Sequence, residues 1–143
     1  MSADFKQLED FSKKIEQLNA EQKEQFLESC CKELAARLLA KVIKRTPSSS
    51  GVLRRGWTAN QSQNATAYAN SLNVKKVGNK YIIDIINPVE YASYVEYGHR
   101  TKDHMGWVEG KFMLTISEEE INNSTEAILT NKLNKYMKDV FGT

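Results

Sequence analysis

The sequence predicts an α+β fold: a small antiparallel sheet packed against an N-terminal helical region and a long C-terminal helix, with a short helix and an extended loop between. Three observations predict it. Apolar residues recur every three or four positions near both ends of the chain. Two β-rich runs, SLNVKK and YIIDII, flank Val77-Gly78-Asn79-Lys80, a two-residue hairpin signal. The length of 143 residues suits one domain that buries a core without metal or disulfide staples. That single domain, 1–143, divides into a helical region at 1–45, a sheet, short helix and loop at 52–113, and a C-terminal helix at 117–141.

Taken in order, Phe5, Leu8, Phe11, Ile15 and Leu18 form one apolar stripe. Asn19 then has the place of an N-cap, with Gln22 three residues on as in a capping box. A second helix follows, with Phe26, Leu27, Cys30, Leu34, Ala35, Leu38, Val42 and Ile43 on one broad face. It stops before Pro47, whose ring disfavours helix at the preceding residue. The break near 18–20 reads as a kink or a helical hairpin. Thr46 to Trp57, TPSSSGVLRRGW, is loop-like in composition. Trp57-Thr58-Ala59 reads as the start of a strand.

If Gly78-Asn79 is the turn, Lys76 faces Tyr81, Val74 faces Ile83 and Leu72 faces Ile85, all on one face. Asn73 with Asp84 and Lys75 with Ile82 share the other. One face is mostly apolar and the other mixed, as in a sheet covered on one side by helices. NPVEYASYVEYG reads as a short helix. Asn87 caps it, Pro88 takes the first helical position, Glu90 completes a capping box and Ile86 staples to Tyr91. Gly98 fits the left-handed position after the last turn. In the final helix Ser117 with Glu120 reads as a capping box and Ile116 with Ile121 as a staple. Its apolar stripe is Ile121, Ile128, Leu129, Leu133, Tyr136, Met137 and Val140.

Composition narrows the function. Hydrophobic residues make up 41% and charged residues 27%, as in a soluble globular chain. The formal net charge is only +2, whereas nucleic-acid binders gather a larger basic excess on one face. No apolar run has the length of a membrane span, and the acid-bearing N-terminus does not read as a signal peptide. Cys30 and Cys31 are adjacent and no CxxC occurs, so both read as ordinary helix residues in a reducing cytoplasm.

Both histidines lie in HRTKDHMGWVEGKFM, residues 99–113. Glu96, His99, Asp103 and His104 are ligand types, but they straddle a helix end and match no metal spacing such as HExxH. Ser48, Ser49, Ser50 and Ser93 lack an activating context for attack with His99. No phosphate-binding glycine motif occurs. These residues predict no enzyme, no catalytic residues, no metal and no cofactor. Lys44, Arg45, Arg54 and Arg55 beside Trp57 offer a nucleic-acid alternative. Against it stands the near-balanced charge; Arg54 and Arg55 then flank a strand and pair with acids at a subunit contact. In the loop, Met105 and Trp107 are large apolar side chains in a polar segment. Trp107 reads either as an interface anchor or as a satellite of its own sheet.

Three stretches, TPSSSGVLRRGW, INPVEYASYVEYGHRT and GWVEGKFMLTISEEEI, follow an N-terminal helical region. In that order they resemble the neck family of tailed bacteriophages: small head–tail joining, or tail-completion, proteins of long-tailed phages and their prophages. The resemblance runs from about Leu34 to the C-terminal helix. Its most specific part is Tyr91, Ala92, Val95, Glu96 and Gly98, then Trp107 before Phe112-Met113. Members often carry an acid and Thr where Ser49 and Ser50 stand, Pro at Glu109 and Arg at Lys111. The resemblance implies a structural virion protein, made in the host cytoplasm and placed in the neck as a homo-oligomeric ring. Its implied partners are connector, head-completion and tail proteins. DNA passes nearby without being a specific ligand, and no membrane is involved. On this reading His99 to Lys111 is an arm that contacts a neighbouring subunit or the adjoining connector ring and orders there. Trp107 is its anchor, Arg100, Lys102 and Asp103 set register by charge, and His99 and Met105 belong to the same contact. The 47–55 loop with Arg54, Arg55 and Trp57 is the second contact.

Overall fold

A computed structural model describes residues 13–47, 51–59, 63–78 and 80–142. The stripe residues Phe5, Leu8 and Phe11, and Ser48, Ser49 and Ser50, lie outside them. Residues 13–16 are helical, and a turn through Gln17 and Leu18 leads to α1, Ala20–Arg45. After it come α2 (Gly51–Gly56), α3 (Ala65–Ser71), β1 (Lys75–Val77), β2 (Lys80–Ile82), α4 (Ala92–Tyr97), β3 (Gly98–Arg100), β4 (Trp107–Glu109) and α5 (Met113–Phe141). The class is α+β as expected, with two separate antiparallel pairs, β1 with β2 and β3 with β4, in place of one sheet.

α1 is the spine. The Asn19 side chain accepts from the Gln22 amide at 2.8 Å and Gln22 accepts from the Asn19 amide at 3.1 Å, so the expected capping box is formed. The helix ends at Thr46, before Pro47. Its first half packs Phe26 and Cys30 against Leu133 of α5 and Leu18. Its second half packs Ala35, Ala36, Leu39 and Val42 against Leu53, Trp57, Ala69 and Met113. Leu39, Val42 and Leu53 are fully buried, each contributing about 1.5–3 kcal/mol. Ion pairs lace α1 to α5, Glu33 with Lys132 at 3.1 Å and Arg45 with Glu120 at 2.5 Å. Being half-exposed, each adds under about 1 kcal/mol, yet together they fix the two helices antiparallel.

The hairpin register matches the sequence expectation at Lys76↔Tyr81 and Lys75↔Ile82. Inward Val74, Tyr81, Ile83 and Ile85 alternate with outward Ile82, Asp84 and Ile86. The paired ladder is shorter than expected, because Ser71 ends α3 and Leu72 is its C-cap. α3 itself is capped by Asn64, whose side chain accepts from Ala67 at 2.8 Å.

Three local expectations differ. GVLRRG is helix α2 and Trp57–Ala59 is the turn after it, not a strand; the buried Leu53 and Trp57 fasten this segment to α1. The short helix begins at Ala92, after Tyr91, without a side-chain cap. Asn87 uses both ends of its amide: Oδ1 accepts from the Val89 amide at 3.1 Å, a cap-type bond, and Nδ2 donates to the Leu53 carbonyl at 2.8 Å, yet the helix itself begins only at Ala92. The last helix starts at Met113, one turn before Ser117. Ser117 is buried inside it and donates back to the Met113 carbonyl at 2.6 Å.

Candidate functional site: the 98–109 hairpin and its base

Where the sequence suggests an arm, the structure has a β-hairpin. Its strands pair as Gly98↔Glu109, His99↔Val108 and Arg100↔Trp107. Thr101 and Asp103 build the tip. The Thr101 amide donates to the Gly106 carbonyl at 3.1 Å, and the Gly106 amide to Thr101 Oγ1 at 3.1 Å. Thr101 Oγ1 donates to Asp103 Oδ1 at 2.5 Å, and the Met105 amide donates to the same oxygen at 3.0 Å. The Thr101 hydroxyl, then the Met105 amide, hold the Asp103 carboxyl below its ordinary range. His104 takes φ of 59° to close the turn. The tip is therefore formed within one chain.

The base is tied to the rest of the molecule by Glu96, which is 5% exposed. Its carboxylate accepts from the Leu114 amide at 2.8 Å, the Thr115 amide at 3.0 Å and the Thr115 hydroxyl at 2.7 Å. The residue preceding α5, Phe112, is left-handed (φ 47°) and gives no side-chain cap. Glu96 therefore satisfies helix-start donors that would otherwise be orphans, and its negative charge suits the positive end of the dipole. The Lys111 amide donates to the Val95 carbonyl at 2.7 Å, and the Phe112 amide to the Glu96 carbonyl at 3.0 Å. Two glycines permit this contact. Gly98 has φ of 90° and ψ of 171°, a region essentially reserved for glycine. A Cβ on Gly110 would stand 2.4 Å from the Glu96 carbonyl oxygen.

The sequence candidates divide cleanly by exposure. Met105 is 87% and Trp107 56% exposed; Trp107 belongs to neither core cluster, and its indole Nε1 lies against Gly98 of its own hairpin. Arg100, Lys102, Asp103 and His104 are exposed, and His99 is half-buried with its ring 5.6 Å from that of Tyr94. Tyr94 and Tyr97 are also exposed, the latter edge-on to Phe112. Trp57, by contrast, is only 4% exposed. Its indole donates to Thr46 Oγ1 at 2.9 Å, and Arg54 Nε donates to the Thr46 carbonyl at 2.9 Å. Of the basic set Lys44, Arg45, Arg54 and Arg55, Arg45 pairs with Glu120 and Arg54 serves Thr46, while Lys44 and Arg55 are exposed.

Glu96, His99, Asp103 and His104 do not converge, since Glu96 is engaged as a helix cap and Asp103 by its own tip. Among the described residues no group of three or more His, Cys, Asp or Glu side chains is placed to hold a metal. Among them, too, no helix is long and apolar enough to cross a membrane. The role of Glu96 was within reach of the sequence only as an acid ahead of Gly98; nothing local pairs it with residues 18 and 19 positions later.

A family model described as "Bacteriophage HK97-gp10, putative tail-component" matches residues 9–98, well over half of the chain. The match ends at Gly98, where the hairpin begins. No curated protein and no solved structure matches the chain.

Proposed function

We propose, because the chain belongs to the HK97 gp10-like family of bacteriophage tail components, that this phage structural protein is a subunit of the neck. There it joins the DNA-filled head to the tail by assembling into a ring. The observation that carries the reading is the hairpin at 98–109. It is pinned at its base by Glu96 and closed at its tip by Thr101 and Asp103, yet offers Met105 and Trp107 to solvent. A rigid element presenting apolar anchors with Arg100 beside them has the composition of an interface hot spot, and rigidity lowers the entropy cost of binding.

On this reading the partners are further copies of the chain and adjoining connector, head-completion and tail proteins. The site is the virion neck, reached after synthesis in the host cytoplasm. The chain acts by contact, without a catalytic step or cofactor, and DNA is a passing neighbour. Trp107 supplies burial at the contact, and Arg100, Lys102 and His99 set register by charge and hydrogen bonding.

The test is complementation of a phage lacking this chain. Trp107→Ala should purify folded, because Trp107 lies outside the core, and should fail to enter particles. Incorporation at the wild-type level would overturn the assignment of the hairpin as the joining element.

A further inference from the structure

We infer that the apolar groove between α1, α5 and β2 receives the hairpin tip of a second copy of this chain, head to tail around the ring; this rests on the ring reading above. The groove encloses about 470 Å³ and is lined chiefly by Leu34, Leu38, Tyr81, Ile83 and Ile121, with Cys31 beside them. Glu118 lines its edge, and Glu119 follows it on α5. Both are exposed, and neither has an ion-pair partner among the described residues. Of the basic residues on the adjoining hairpin, Lys75 pairs with Asp84 at 3.2 Å and Lys76 lies over the Tyr81 ring at 5.6 Å, while Lys80 is exposed.

The hairpin is the complement. Its most exposed apolar side chain, Met105, is unbranched and adapts to an irregular slot, and Trp107, the cross-strand partner of Arg100, is exposed as well. Arg100 and Lys102 flank them, exposed and without an ion-pair partner among the described residues. The one acid of the tip, Asp103, is occupied by Thr101 and Met105. An apolar knob with unpaired cations thus faces an apolar slot that has the unpaired carboxylate of Glu118 in its lining, with Glu119 in an adjoining hollow that shares Asn122 and Thr125 with it. Hairpin and groove share no residue, which is what a heterologous, ring-closing contact requires.

The experiment has two arms, both run on the full chain with light scattering alongside. In the first, Met105 is replaced by the photo-cross-linker p-benzoylphenylalanine. Irradiation of multimers should give covalent dimers whose cross-linked peptides map to residues 31–38, 81–85 or 118–125. In the second, Glu118→Lys with Glu119→Lys should weaken self-association at least about tenfold, and adding Arg100→Glu with Lys102→Glu should restore it. Multimers with cross-links elsewhere, or a charge reversal without rescue, overturn the groove while leaving the ring. A chain that stays monomeric, without cross-links, overturns both.

Discussion

Glu96 caps α5 from across the hairpin, its carboxylate accepting from Leu114 at 2.8 Å and from both the amide and hydroxyl of Thr115. A residue at the end of one short helix thus fixes the start of a 29-residue helix, and the chain between them is the exposed hairpin. The orientation of the hairpin relative to the helical body is set at this bond cluster.

Removing it should therefore be felt in stability. Glu96→Ala leaves amides of the first turn without their acceptor and should cost about 1–3 kcal/mol. Glu96→Gln keeps one acceptor and should cost less. Urea unfolding of the two variants checks the order; equal and negligible losses would contradict the cap.

The base glycines give a second prediction. Gly98→Ala and Gly110→Ala should each cost about 1–3 kcal/mol and speed hydrogen exchange at the Lys111 and Phe112 amides. Gly78 has open space around it and φ of 61°; Gly78→Asn there should be near neutral, since Asn tolerates that region.

Trp57 belongs to the core. Trp57→Ala should destabilise by about 3–5 kcal/mol. Thr46→Val should cost about 1–3 kcal/mol, because it leaves the buried indole N–H unpaired. The contrast with Trp107→Ala, expected within about 0.5 kcal/mol of wild type, is measurable by thermal melting of the three variants side by side.

The hairpin tip should respond to acid. The folded-state pKa of Asp103 is depressed from an ordinary 3.8 by the Thr101 hydroxyl and the Met105 amide. Its contribution is therefore fully present above 3.8 and is lost as pH falls through the lower folded-state value. The Met105 amide resonance should be constant from pH 8 to about 5 and move only in acid. Movement near neutrality would contradict the bond.

Burial pushes the Cys30 thiol up to about 12 and raises that of Cys31. Disulfide reagents at pH 8 should leave Cys30 unmodified until the chain is unfolded, since the thiolate is the reactive species.

Much of this fold was legible where the determinants are local. Asn19 with Gln22, Pro47, and the Gly78-Asn79 turn with its alternating neighbours placed the first long helix and the hairpin register. The family resemblance, running from about Leu34 to the C-terminal helix, agrees with the family match, which covers residues 9–98 and so takes in Tyr91 to Gly98 but not Trp107 or Phe112-Met113. Where distant bonds decide, the sequence misled. Ser117 and Glu120 have capping-box spacing, but Glu96 starts the helix a turn earlier. Asn87 accepts from the Val89 amide as a cap does and also reaches the Leu53 carbonyl, but the helix starts only at Ala92. Trp57 next to two arginines suggested a surface, but the Thr46 hydroxyl draws the indole inside. Within the hairpin, the types and spacing of Met105 and Trp107 suggested anchors, while the Thr101–Asp103 closure that rigidifies them depends on turn geometry the residue types do not fix.

The central claim, that the hairpin joins subunits, is tested most directly by solution mass from light scattering across a wide concentration range, wild type beside Trp107→Ala. The account predicts a discrete multimer for the wild type and a monomer for the variant at equal thermal stability. A wild type that stays monomeric throughout, or a variant that assembles equally well, would contradict it.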